Sequence, residues 1–144
     1  MKLENQVTSL ELSKRLKELG IKQDSLFWWI IPTDSDYKAN PKNKRVLIYE
    51  KELCRDGNCG HKPISAFTVS ELGELLPKNL KYKDGMINRV LMLDIVWNKG
   101  NGWIVGYQLI NQTEDIIYQT LDKLSLADAM SKMLISLKDL EKVK

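Results

Sequence analysis

A chain of 144 residues is long enough for one domain with its own core, and 43% hydrophobic against 28% charged residues excludes a disordered or fibrous class. The 22 basic and 19 acidic side chains leave a net charge of only +3, too balanced to demand a polyanionic partner. No apolar run approaches a bilayer span and Met1-Lys2-Leu3-Glu4-Asn5-Gln6 lacks the apolar core of a signal peptide, so the expectation is a cytoplasmic protein, with no membrane partner, whose two cysteines are free thiols.

Residues 8–19 carry the signals of a first helix. Thr8 is placed as its cap, Glu11 completes a capping box, Val7 can staple onto Leu12, and Gly20 followed by Ile21 supplies a left-handed Schellman ending. The continuous apolar run Leu26-Phe27-Trp28-Trp29-Ile30-Ile31, closed by Pro32, reads as a strand buried on both faces. A polar loop over residues 33–44 leads to a second strand at 45–50. After an irregular segment at 54–63 and a short strand at 64–67, Thr68 caps a second helix, with Glu71 at the box position, Phe67 stapling to Leu72, and Pro77 limiting it to about two turns.

Residues 89–111 form the organising element, a β-hairpin turning at Asn98-Lys99-Gly100-Asn101-Gly102. Setting Trp97 opposite Trp103 places Ile95 by Val105, Leu93 by Tyr107 and Leu91 by Leu109 on one wholly apolar face. The other face pairs Val96 with Ile104, Asp94 with Gly106, Met92 with Gln108 and Val90 with Ile110. Both faces are largely apolar, so both are expected to be covered by helices. A strand at 115–120 and a long helix capped by Ser125, with Asp128 at its box position and an apolar stripe of Leu126, Met130, Met133, Leu134, Leu137 and Leu140, complete the chain. The expected fold is a single α+β domain over residues 1–144, a three-layer α-β-α sandwich around a mainly antiparallel sheet, in the order helix, strand, strand, helix, hairpin, strand, helix.

Three stretches carry a resemblance. Ser9-Leu10-Glu11-Leu12-Ser13-Lys14-Arg15-Leu16-Lys17-Glu18-Leu19-Gly20-Ile21-Lys22-Gln23-Asp24-Ser25-Leu26-Phe27-Trp28-Trp29, then Ser65-Ala66-Phe67-Thr68-Val69-Ser70-Glu71-Leu72-Gly73-Glu74-Leu75-Leu76-Pro77, and Ala127-Asp128-Ala129-Met130-Ser131-Lys132-Met133-Leu134-Ile135 resemble small phage- and prophage-encoded proteins similar to the phage α-β-α sandwich domains. The resemblance implies a phage or prophage origin, a bacterial host cytoplasm and the sandwich fold. It brings no activity and no catalytic residue.

Several groups have the chemistry for a site. Cys54, Cys59 and His61 are metal-ligand types, but a structural zinc site wants four ligands and a second pair is absent. His61 beside a cysteine could form a nucleophile pair, yet one loop provides no rigid geometry for it. Asp94 is a carboxylate inside an apolar strand, with no second carboxylate at a definable spacing. Lys99-Gly100-Asn101-Gly102 is too short for a phosphate-binding loop and does not open into a helix. Lys38, Lys42, Lys44, Arg45, Lys78, Lys81 and Lys83, with Trp28, Trp29, Trp97 and Trp103 as stacking surfaces, would serve nucleic-acid binding, although the tryptophans also suit a core. The expectation is therefore a non-enzymatic accessory protein, without catalytic residues, cofactor or metal, that binds a host or phage protein. Nucleic-acid binding through the loop lysines and exposed tryptophans is the alternative. A homodimer could arise if residues 26–31 lie at a sheet edge and pair between chains.

Overall fold

A computed structural model describes residues 5–30, 46–49, 63–84, 87–109, 116–123 and 125–142. In chain order the elements are α1 (Leu10–Glu18), β1 (Phe27–Ile30), β2 (Val46–Tyr49), β3 (Ile64–Ala66), α2 (Val69–Leu75), β4 (Asn79–Asp84), β5 (Ile87–Asn98), β6 (Gly102–Leu109), β7 (Ile116–Asp122) and α3 (Leu126–Lys142). The class is α+β, with antiparallel pairing between every pair of neighbouring strands.

The strands divide into a three-stranded sheet, β2-β1-β3, and a four-stranded sheet, β4-β5-β6-β7. The long hairpin has the register expected from its alternation, from Leu91 opposite Leu109 to Trp97 opposite Trp103. Gly100 and Gly102 take φ of +105° and +93°, the left-handed values that let the chain reverse. Ile110 lies outside the described residues, as do residues 31–45 and 50–62, with the loop expected at 33–44 and the irregular segment at 54–62.

Two of the three expected helix starts are built differently from their local sequence. At α2 the box is complete: Thr68 Oγ1 accepts the Glu71 N–H at 3.2 Å, and the Glu71 carboxylate accepts the Thr68 N–H at 2.6 Å. At α1 the capping position falls to Ser9, whose side chain makes no cap bond, and Thr8 is fully buried instead. Thr8 Oγ1 accepts the Phe67 N–H at 2.9 Å and shares a 2.6 Å bond with Ser13 Oγ, while Trp29 Nε1 donates to the Thr8 carbonyl at 2.8 Å. Tertiary partners have outbid a local cap, because a buried hydroxyl without partners costs more than an unmade cap at a wet helix end. At α3, Ser125 Oγ accepts the Asp128 N–H at 3.2 Å, but the Asp128 carboxylate turns to Ser9 and the Ser125 N–H goes to Asp122 Oδ1 at 2.9 Å. The end of α1 follows its sequence: Ile21 N–H reaches the Leu16 carbonyl and Gly20 N–H that of Lys17, both at 3.0 Å, with Gly20 at φ +80°.

Leu16 of α1, Leu72 and the following Leu76 of α2, and Met130, Met133, Leu134 and Leu137 of α3 share one core with Leu91, Val105, Tyr107 and Leu109. The three described helices thus share a core on one face of the four-stranded sheet, α3 lying directly on β6 and β7 while α1 and α2 pack against α3. A second core of Val7, Leu10, Trp29, Ile64 and Ala66 lies against the three-stranded sheet, so α1 serves both sheets, Leu10 toward one and Leu16 toward the other. The described residues place no helix on the opposite face of the four-stranded sheet, where a second helix layer was expected. An antiparallel sheet tolerates one uncovered face, since its strands need no crossover helices to connect them.

Three further expectations need revision. Residues 27–30 are the central strand of their sheet, paired on both sides, so that strand is not an edge available to a second copy. Its Trp28 and Trp29, on alternate faces, are both buried, as expected for a doubly covered strand. Leu140, read as part of the α3 stripe, is exposed. β4 was not expected, although Leu80-Lys81-Tyr82-Lys83 alternates with period two between Pro77 and Asp84-Gly85.

Candidate functional site

The face of the four-stranded sheet that no described helix covers is built from the even-numbered residues of β5 and β6 and their cross-strand neighbours. Cross-strand partners share a face, so the register makes rows. Val96, Ile104 and Leu121 form an apolar row across three strands; Asp94, Gly106 and Gln119 form the next; Asn79, Met92 and Gln108 follow, then Lys81 and Val90. Val90 is 43% exposed, Met92 47%, Val96 44% and Leu121 44%; on the helix-bearing face Leu91 and Val105 are fully buried, while Ile95 and Trp97 toward the hairpin end reach 39% and 53%. Single exposed apolar side chains are ordinary, but several on adjacent strands of one rigid sheet make a patch of the kind that marks interaction surfaces. Asp94 is half-buried at its centre and Lys81 is exposed at its β4 side.

The sequence placed Val90, Met92, Val96 and Ile104 together correctly and misjudged their environment. Their polar companions Asp94, Gln108, Gln119 and Lys81 were the available signal, because a face between two helix layers carries few such groups.

The remaining candidates separate. Cys54, Cys59, His61, Lys38, Lys42, Lys44 and Arg45 lie outside the described residues; Lys78 and Lys81 are exposed, and Lys83 falls in β4. Among the described residues no three of His, Cys, Asp and Glu gather as a metal site. No described helix is long and apolar enough to cross a membrane. Of the four tryptophans proposed as stacking surfaces, Trp28 and Trp29 are buried, Trp103 is partly buried against the main core, and Trp97 is 53% exposed. Trp97 and Trp103 meet edge to face, with ring centroids 5.1 Å apart and planes at 61°.

A second feature lies on the helix-bearing side. Phe27, Val69, Trp103 and Leu126, with Asn5, Gln6, Thr68 and Ser70, line a cavity of about 300 Å³. Its walls come from the segment before α1, β1, the start of α2, the start of β6 and the start of α3, a combination that no local pattern announces.

In comparison with known proteins, the chain matches no family model, no curated protein and no solved structure.

Proposed function

We propose that this chain is a non-enzymatic accessory protein of phage or prophage origin that acts in the host cytoplasm by binding another protein through the open face of its four-stranded sheet. The observation that carries the reading is the exposure of Val90, Met92, Val96 and Leu121 on adjacent strands of one face. Burying such a patch releases roughly 25 cal/mol for each Å² of apolar area removed from water. The complementary surface is apolar, with a cation or hydrogen-bond donor set to meet Asp94. The bound partner then supplies the third layer of the sandwich that the two apolar sheet faces suggest. The resemblance in residues 9–29, 65–77 and 127–135 supports the phage assignment.

The test is recovery of the tagged full chain from host lysate, with and without nuclease, beside the double variant Met92→Glu/Val96→Thr. A protein captured by the parent and lost by an equally well folded variant is the expected result. Capture that the variant retains would overturn the reading. Recovery of nucleic acid alone, released steeply by salt, would favour the alternative reading through Lys81 and the other lysines.

A further inference from the structure

The cavity between the two sheets' elements has a chemical character of its own. Two of its walls are aromatic, Phe27 and Trp103, and two are aliphatic, Val69 and Leu126. The described lining side chains are all neutral and would give a charged ligand no ion partner in return for its lost hydration. The polar groups are neutral amides and hydroxyls. Thr68 is committed to the α2 capping box through Glu71, which leaves Asn5, Gln6 and Ser70, all exposed, to meet a polar edge at the mouth. A volume of about 300 Å³ is at the small end of ligand pockets, room for a one- or two-ring group. The indole that walls the cavity is also the one that Trp97 touches at 5.1 Å, so the aromatic surface continues to a half-exposed ring.

We propose that this cavity binds an uncharged, planar aromatic group, stacked or edge-on against Trp103 and Phe27 with its polar edge toward Asn5, Gln6 and Ser70. The group belongs either to a free small molecule or to an aromatic side chain of a bound protein. The proposal is independent of the open face, because Trp103 lies on the side of the sheet that carries Val105 and Tyr107 against the helices.

The experiment is a titration of the isotope-labelled full chain with indole, followed by amide and indole N–H resonances. Saturable shifts at Trp103 Nε1–H and at the amides of Val69, Ser70 and Leu126, in the millimolar range usual for a fragment, are expected. Leu126→Trp, which fills the cavity, should weaken binding roughly tenfold or more. Ser70→Trp provides the same blockade from an exposed position if Leu126→Trp does not fold. A parallel titration with N-acetyltryptophanamide separates the sources: binding at least as tight as that of indole shows that the site admits an aromatic side chain carried on a backbone, and exclusion restricts it to a free molecule. Absence of saturable shifts, shifts centred on Val96 and Leu121, or unchanged binding by a folded cavity-filled variant would overturn the proposal.

Discussion

Asp128, in the first turn of α3, accepts the backbone N–H of Ser9 at 2.7 Å across 119 residues of chain, so the last helix holds the entry to the first. Ser9 is the capping residue of α1 without a side-chain cap of its own. The carboxylate therefore joins two helix starts that are each incomplete in isolation.

Burial pushes the Asp128 carboxyl above its usual range, assisted by nearby Asp122 and opposed by the Ser9 bond and Lys132. With the folded pKa raised, the folded state holds its proton more tightly than the unfolded chain. The associated stability is full below the unfolded value and falls as pH rises through the folded one. Asp128→Asn keeps an acceptor for Ser9 and removes the charge, so denaturant unfolding at neutral pH should show stability unchanged or raised. Asp128→Ala orphans the Ser9 N–H and should cost about 1–3 kcal/mol. Equal losses in the two variants would contradict the bond's role.

Tyr107 is fully buried and its hydroxyl donates to the Pro77 carbonyl, tying β6 to the turn after α2. Desolvation pushes its pKa up to about 12. An unfolded tyrosine ionises near about 10, so the folded state loses stability as pH climbs through the interval between the two values. Tyr107→Phe should cost about 1 kcal/mol at neutral pH and flatten the alkaline decline. Thermal melts between neutral and strongly alkaline pH check both; an alkaline slope identical in parent and variant would exclude Tyr107 as its source.

Gly100 and Gly102 share left-handed backbone but not surroundings. A Cβ on Gly100 would meet nothing within 4 Å, whereas one on Gly102 would overlap the Asp122 carbonyl and the Lys123 backbone. Both alanine variants carry backbone strain, and Gly102→Ala adds a steric clash with β7 and the residue after it. Its loss of stability should exceed that of Gly100→Ala by about 1–3 kcal/mol. Equal denaturation midpoints would show that β7 yields freely there.

Short-range rules set a good part of this protein. The alternation of residues 91–109 determined the hairpin register to the residue, Gly20-Ile21 the end of α1, and Thr68 with Glu71 the start of α2. Each depends on backbone geometry and on neighbours a few positions away, which a sequence states directly. β4 was legible in the alternation at Leu80-Lys81-Tyr82-Lys83 but lay between stronger signals. Only the tertiary structure decided that Thr8 serves a buried network instead of a cap, that Asp128 reaches Ser9 instead of Ser125, and that Phe27 and Trp103 wall one cavity. It also decided that Leu91 is covered while Val96 on the other face is open. Alternation tells which residues share a face; which face is buried depends on where distant segments pack, and here the described strands divide into two sheets while every described helix gathers on one side of the larger.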